Sequence, residues 1–260
     1  MISGVQPQLV FREWGNGYPV LILHGLFGSS DNWTTVAKLL AERYRVIVVD
    51  LRNHGASFHA PFHRYPQMAA DVAALMAHLG ILSASVMGHS MGGKVAMQFA
   101  ADFPELIDRL VVVDILPCVY PPHHDDVFAG LRAVSLPKIR RRADADLVMA
   151  GHIRDSALRN FLLKSLQIDS DGNACWKFNL EVLIAEYGHI LGAPTFKRPI
   201  QTPTLFVMGG DSEYRTDDGD RDRRVWFPTS HVEIVPHAGH WLHAQFPDHL
   251  VRVAFSHIGE

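Results

Sequence analysis

Cysteine is scarce in this chain: 260 residues contain two, Cys118 and Cys175, far apart and outside any paired spacing. That argues against a cysteine-rich zinc site or a disulfide scaffold and fits a reducing compartment. Long apolar runs are missing too; none approaches the ~20 residues that a membrane-spanning helix needs. Nor is there an excess of positive charge. Lys and Arg number 24 against 27 Asp and Glu, a formal net charge of -3, which lacks the basic footprint of a nucleic-acid partner. Met1–Pro7 has no basic segment leading into an apolar one, so no secretory leader is expected. Low-complexity tracts and internal repeats are also absent. Together these absences point to a soluble cytoplasmic protein with neither membrane nor nucleic acid as partner. What is present is 48% hydrophobic and 20% charged residues, a balance that can bury a sizeable core.

Short β-branched runs alternate with helical patterns over the first half. Val20–Leu23, Val46–Val49, Ala84–Met87 and Leu110–Val113 read as buried strands. Helices are predicted over Asn32–Tyr44, with Asp31 as cap, and over Met68–Leu79, where Val72, Leu75, Met76 and Leu79 recur at helical spacing. Continuous apolar strands separated by helices predict an α/β fold with a mostly parallel sheet covered on both faces. After Pro117 the rhythm changes. From Pro121 to Phe196 it is mostly helical, over Val127–Val134, Asp144–His152, Ala157–Leu166 and Leu180–Ile190, with a turn at Asp171-Gly172-Asn173. Strands return at Thr204–Met208 and His231–Val235, and a last helix begins near Pro247. The expected organisation is a core of residues 1–116 and 202–260, with a helical cap, 117–201, inserted between. Arg140-Arg141-Arg142 reads as a solvated helix end. His123-His124-Asp125-Asp126 superficially resembles a metal cluster. Adjacent side chains diverge, however, and no ligands follow at helical spacing, so a helix cap is expected and no metal site.

The most informative stretch is Gly88-His89-Ser90-Met91-Gly92-Gly93, between a predicted strand and a predicted helix. Strand, Gly-x-Ser-x-Gly, helix is the layout of a nucleophile elbow. A side chain at 88 or 92 would strike the neighbouring backbone in so tight a turn, so glycine stands at both. The helix start adds free N–H groups and a positive dipole end beside the hydroxyl. A serine hydroxyl is a weak nucleophile at neutral pH and needs a base and an orienting acid. The predicted base is His240, in Pro236-His237-Ala238-Gly239-His240-Trp241 after the last strand; His237 and His243 compete. Two carboxylates compete for the acid. Asp211 ends the penultimate strand and Asp114 ends the strand after the elbow helix, and both stand at the carboxyl edge of the sheet where α/β sites form. The residues by themselves leave that choice open. An oxyanion hole is expected from the backbone of Met91 and of the His24–Gly28 loop, with Leu26 as donor and Phe27 as the alternative. His24 is expected to be structural. Phe27 and Trp241 are expected as substrate-binding walls.

His24-Gly25-Leu26-Phe27-Gly28-Ser29, Asp50-Leu51-Arg52-Asn53-His54-Gly55-Ala56-Ser57, Gly88–Lys94 and Val113-Asp114-Ile115 resemble the α/β-hydrolase superfamily. More narrowly they resemble the YbfF-type esterases and their mitochondrial relatives. The motifs cover the core and resume at Gly239-His240-Trp241, whereas the insert matches more loosely through Trp176–Leu180. The resemblance implies serine-dependent hydrolysis of small-molecule carboxylic esters or acyl-thioesters through an acyl-enzyme, without a cofactor. It carries Ser90 and His240 over directly and favours Asp114, in its Val-Asp-Ile context, over Asp211. Ser90 disfavours dehalogenases and epoxide hydrolases, which need a carboxylate at the elbow. A carbon–carbon hydrolase of diketone acids would keep Ser, Asp and His but needs a cationic or polar site for the substrate's carboxylate. A hydrolase-fold binding protein would keep the pocket with only residual turnover.

Overall fold

The computed structural model describes residues 8–259; Met1–Pro7, on which the leader expectation rests, lies outside them. The strands are β1 (Phe11–Trp14), β2 (Pro19–Leu23), β3 (Arg45–Val49), β4 (Ala84–His89), β5 (Ile107–Val113), β6 (Leu166–Ile168), β7 (Ala174–Trp176), β8 (Thr204–Gly209) and β9 (His231–Val235). The helices are α1 (Thr34–Leu40), α2 (Tyr65–His78), α3 (Met91–Asp102), α4 (Asp125–Ala133), α5 (Arg142–Met149), α6 (Ser156–Leu163), α7 (Leu180–Ala185), α8 (Tyr187–Leu191), α9 (Asp217–Trp226), α10 (Leu242–Gln245) and α11 (Pro247–Ile258). Seven strands form the main sheet in the order β1-β3-β2-β4-β5-β8-β9. All neighbours are parallel except β1, which runs antiparallel to β3 at one edge.

The central strands are largely apolar because both sheet faces are covered there. Leu21, Leu23, Ile47, Val49, Val86 and Val112 pack on one side with α2 and α3. Val20, Ile22, Val46, Val48, Met87 and Val111 pack on the other with α1 and α11. Between β5 and β8 the chain builds α4 to α8 and a small antiparallel hairpin, β6–β7. No helix among the described residues is long and apolar enough to cross a membrane.

Several local expectations change. The helix expected over Asn32–Tyr44 is a short 3-10 turn, Ser30–Trp33, followed by α1, which ends at Leu40 so that the chain can turn into β3. Asp31 does not cap it. The Asn32 side chain accepts the Ser29 N–H at 2.8 Å, while Asp31 pairs with Arg12 at 2.7 Å and Lys177 at 3.4 Å. The helix expected over Ala157–Leu166 stops at Leu163, because Leu166 enters the hairpin around a turn in which Asp169 accepts the N–H groups of Asp171 and Asn173. The helix expected over Leu180–Ile190 breaks at Glu186, whose carboxylate is held by Arg64 Nε at 3.0 Å and the His63 N–H at 3.3 Å. Neither β1 nor α9 was foreseen.

Packing is tight where β4 turns into α3. A Cβ on Gly88 would lie 2.2 Å from Gly92 O, and one on Gly92 would lie 2.4 Å from both Leu23 O and His24 O. Those neighbours are backbone and cannot swing aside. Gly92→Ala is therefore expected to cost at least about 2 kcal/mol, read as a lower urea midpoint; an unchanged midpoint would mean the junction is looser than described.

Candidate active site

The strand register brings several chain ends to one edge. Leu23 pairs with Gly88, His89 with Val113, and Val113 with Val207, so the loops after β2, β4, β5 and β8 open side by side. Ser90 occupies the turn after β4 with φ 53 and ψ -123, a conformation L-residues adopt only under constraint. Its N–H donates to Val113 O at 3.0 Å. Met91 begins α3, so its N–H is one of the helix's unclaimed initial donors.

Asp114 follows β5, fully buried and also at positive φ, 51°. Its Oδ1 accepts the Gly209 N–H at 2.7 Å. Its Oδ2 accepts the Ser212 hydroxyl at 2.5 Å and His240 Nδ1–H at 2.7 Å. A carboxylate can only accept here, so Nδ1 carries a proton, and in the neutral ring Nε2 is the free acceptor. The carboxylate against the histidine is thus Asp114. Asp211 is exposed, with its backbone N–H on Ala238 O at 3.0 Å. The competing histidines lack that carboxylate: His237 is exposed on a turn, and His243, though in the cleft wall, is buried and stacked on Trp33 with ring centroids 4.6 Å apart.

The loop after β2 is shaped by buried histidines. Phe27, at φ 62, donates its N–H to His54 Nε2 at 3.1 Å. His54 Nδ1–H is spent on Arg52 O at 3.1 Å. His24 accepts the Leu51 N–H at 3.0 Å and donates to Gly25 O at 2.8 Å, the structural role expected of it. Burial lowers the pKa of His24 and His54, holds His63 and His243 down at about 3, and lowers His89 well below the ordinary value. His89 Nε2–H donates to the carbonyl of His240 at 2.8 Å.

Ser90, His240, Leu26, Phe27, Met91 and Trp241 all line one cleft of about 760 Å³, mouth included. Phe27 is also core, edge-on to Phe128 and Phe178, and Trp241 packs on Phe161 with centroids 4.2 Å apart. Among the described residues the one lysine or arginine in the lining is Lys94, a single helical turn beyond Met91 and 2% exposed. Burial pushes its pKa down to about 7, and its ammonium donates to Leu191 O at 3.0 Å and Gly192 O at 2.7 Å. Among the described residues no group of three or more His, Cys, Asp or Glu is disposed to hold a metal. His123 and His124 instead meet the hydroxyls of Tyr214 and Tyr187, each at 2.6 Å. Ser212 and Tyr214 belong to the site although nothing in the sequence marks them, since their partners lie on other strands and in the insert.

Residues 18–247 match the sequence profile of the α/β-hydrolase fold. The chain is 38% identical to esterase YbfF of Escherichia coli over 91% of each sequence. It is 37% identical to the sn-1-specific diacylglycerol lipase ABHD11 of Mus musculus, over 88% of this chain and 76% of that one. A solved marine microorganism esterase superposes with a TM-score of 0.94 at 34% identity, over 97% of this chain and all of the other.

The buried histidines set an acid limit to stability. With folded pKa values below the unfolded value of ~6.5, they stay neutral when folded, while the unfolded chain takes up protons. Their contribution is complete above about pH 6.5 and is lost as pH falls toward 3. Urea unfolding free energy is expected to fall from pH 7 to pH 5 with a slope of more than one proton per molecule. A flat profile would mean these histidines are protonated in the folded state.

Proposed function

The chain belongs to the α/β-hydrolase-fold family and hydrolyses esters, and from that premise we propose a serine-dependent route through an acyl-enzyme. One observation carries the reading: Ser90 on its strained turn shares a cleft with a histidine whose Nδ1–H is held by a buried carboxylate. Ser90 Oγ attacks the ester carbonyl as His240 Nε2 takes its proton. Asp114 holds the imidazole in that tautomer, and the Ser212 hydroxyl and Gly209 N–H hold Asp114. The N–H groups of Met91 and Leu26 receive the developing oxyanion; Phe27, whose N–H is committed to His54, is the weaker candidate. The tetrahedral adduct collapses, His240 returns the proton to the leaving alcohol or thiol, and water repeats the sequence on the acyl-enzyme.

Residues 117–201 act as the cap in this reading, with Phe27 and Trp241 as pocket walls, and no cofactor takes part. The substrates are small carboxylic esters, and the likeness to a diacylglycerol lipase makes acylglycerols worth assaying. The two free cysteines suit the cytoplasm. Carbon–carbon hydrolysis of diketone acids is less well supported, because the cleft's lysine already serves two backbone carbonyls.

Hydrolysis of p-nitrophenyl acetate and butyrate is expected, with turnover and fluorophosphonate labelling both abolished in Ser90→Ala. Labelling that persists in that variant would overturn the assignment. Asp114→Asn is expected to lower kcat by about 10⁴, as loss of the orienting acid does elsewhere, and Asp211→Asn by less than about twofold. Equal losses would sink the choice of acid.

A further inference from the structure

Tyr214 lies in the loop between β8 and α9, two residues beyond Ser212. Its ring lies against the imidazole of His240, with centroids 4.1 Å apart and planes 25° apart. Three polar contacts hold it there. Its N–H donates to Ser212 Oγ at 3.2 Å, and its carbonyl accepts the Tyr120 hydroxyl at 2.8 Å. Its own hydroxyl meets His123 Nε2 at 2.6 Å. His123 Nδ1 lies 2.8 Å from Pro121 O, which can only accept. Nδ1 therefore carries the proton of the neutral ring, Nε2 is bare, and the tyrosine donates.

The other groups around His240 differ in kind. Asp114 Oδ2 takes its Nδ1–H. His89 holds its carbonyl, with ring centroids 4.6 Å apart, and Trp241 stands edge-on at 5.5 Å. His124 and His243 are coupled to it electrostatically, and burial keeps both neutral. Tyr214 is thus the neighbour that offers an aromatic face nearly parallel to the ring on which a proton would arrive.

We propose that Tyr214 is a positioning residue for the hydrolysis: its π face stabilises the imidazolium form of His240 and holds that ring toward Ser90. The inference rests on His240 being the base. A cation over an aromatic face is favoured by the ring quadrupole, an effect of roughly 2- to 30-fold in an equilibrium at a partly desolvated site. The same face binds neutral imidazole less strongly, so the gain falls on the step in which Ser90 loses its proton.

The test follows kcat/KM for p-nitrophenyl butyrate against pH in Tyr214→Leu, Tyr214→Phe and a series with ring-fluorinated phenylalanines at 214. Tyr214→Leu is expected to lose about 2- to 30-fold and to shift the acid limb to lower pH; Tyr214→Phe recovers most of both. Fluorination, which keeps the ring's shape while weakening its quadrupole, is expected to move the limb down in graded steps. A limb that stays at the wild-type pH in Tyr214→Leu, or that ignores fluorination, would overturn the proposal and leave the ring as filler. Should Tyr214→Leu not fold, the fluorinated series decides alone. NMR titration of the His240 imidazole in Ser90→Ala protein needs no turnover. A midpoint that falls with fluorination supports the stacking, and a fixed one refutes it. Failure of the serine reading is seen separately, in Ser90→Ala activity and labelling.

Discussion

The site depends on a steric constraint: there is no room for a Cβ where β4 gives way to α3. Gly88 lies against Gly92, and Gly92 lies against the carbonyls of Leu23 and His24. The first turn of α3 is thereby pressed onto the end of β2, and Ser90 is left with a backbone conformation it would not choose. Such strain costs of order 1–3 kcal/mol and is offset by the near-complete burial of β4 and α3. The same pattern recurs around the sheet edge. Of the five non-glycine residues at positive φ among the described residues, Ser90, Asp114 and Phe27 belong to the candidate site, and Asn53 and His237 lie in loops beside it. Strain gathers where loops must aim a particular atom at the cleft.

A second theme is the use of histidine as a neutral hydrogen-bonding group. Sixteen histidines are many for 260 residues, and several stand shoulder to shoulder in and behind the cleft wall: His24 with His54, His54 with His63, His89 with His243. Charged, they would repel one another in a medium that screens poorly; burial keeps them neutral instead. A neutral imidazole offers one donor and one acceptor at fixed angles. That lets His54 both take the Phe27 N–H and give to Arg52 O. His240 differs from these neighbours in its company: it alone has the buried carboxylate of Asp114, together with partial exposure to the cleft.

Much of this was legible in the sequence. The strands were readable because both faces of a parallel sheet are buried, which makes the runs continuously apolar, and the elbow because its glycines are sterically forced. Edge strand β1 was not, since Phe11-Arg12-Glu13-Trp14 is half exposed and carries no apolar run. The hairpin β6–β7 was not, because three-residue strands leave no period to detect. Asp114 and Asp211 could not be separated from the residues alone. Both end strands at the same edge, and what distinguishes them is orientation: one carboxylate turns inward to Gly209, Ser212 and His240, the other lies exposed. Tyr214 was invisible for a similar reason, its role residing in a ring contact across the fold.

The hydrogen bonds between residues 117–201 and the sheet domain bear on how the proposed esterase would select its substrate. Ser165 in the insert donates to Phe27 O at 2.9 Å, and the Asn179 N–H to Asn53 O at 2.9 Å. Lys94 holds the carbonyls that close α8, and the Tyr65 hydroxyl holds Ile190 O. Swinging the insert away as a rigid lid would exchange these hydrogen bonds for water, each at a net cost of ~0.5–1.5 kcal/mol. Such an opening would also pull on Phe27, and through it on the loop that carries Leu26. A pocket tied this way is largely pre-formed. On the proposed reading its selectivity follows from the side chains already facing the cleft, and substitutions in the insert would act through Phe27 on the loop after β2 as well as on the cleft wall.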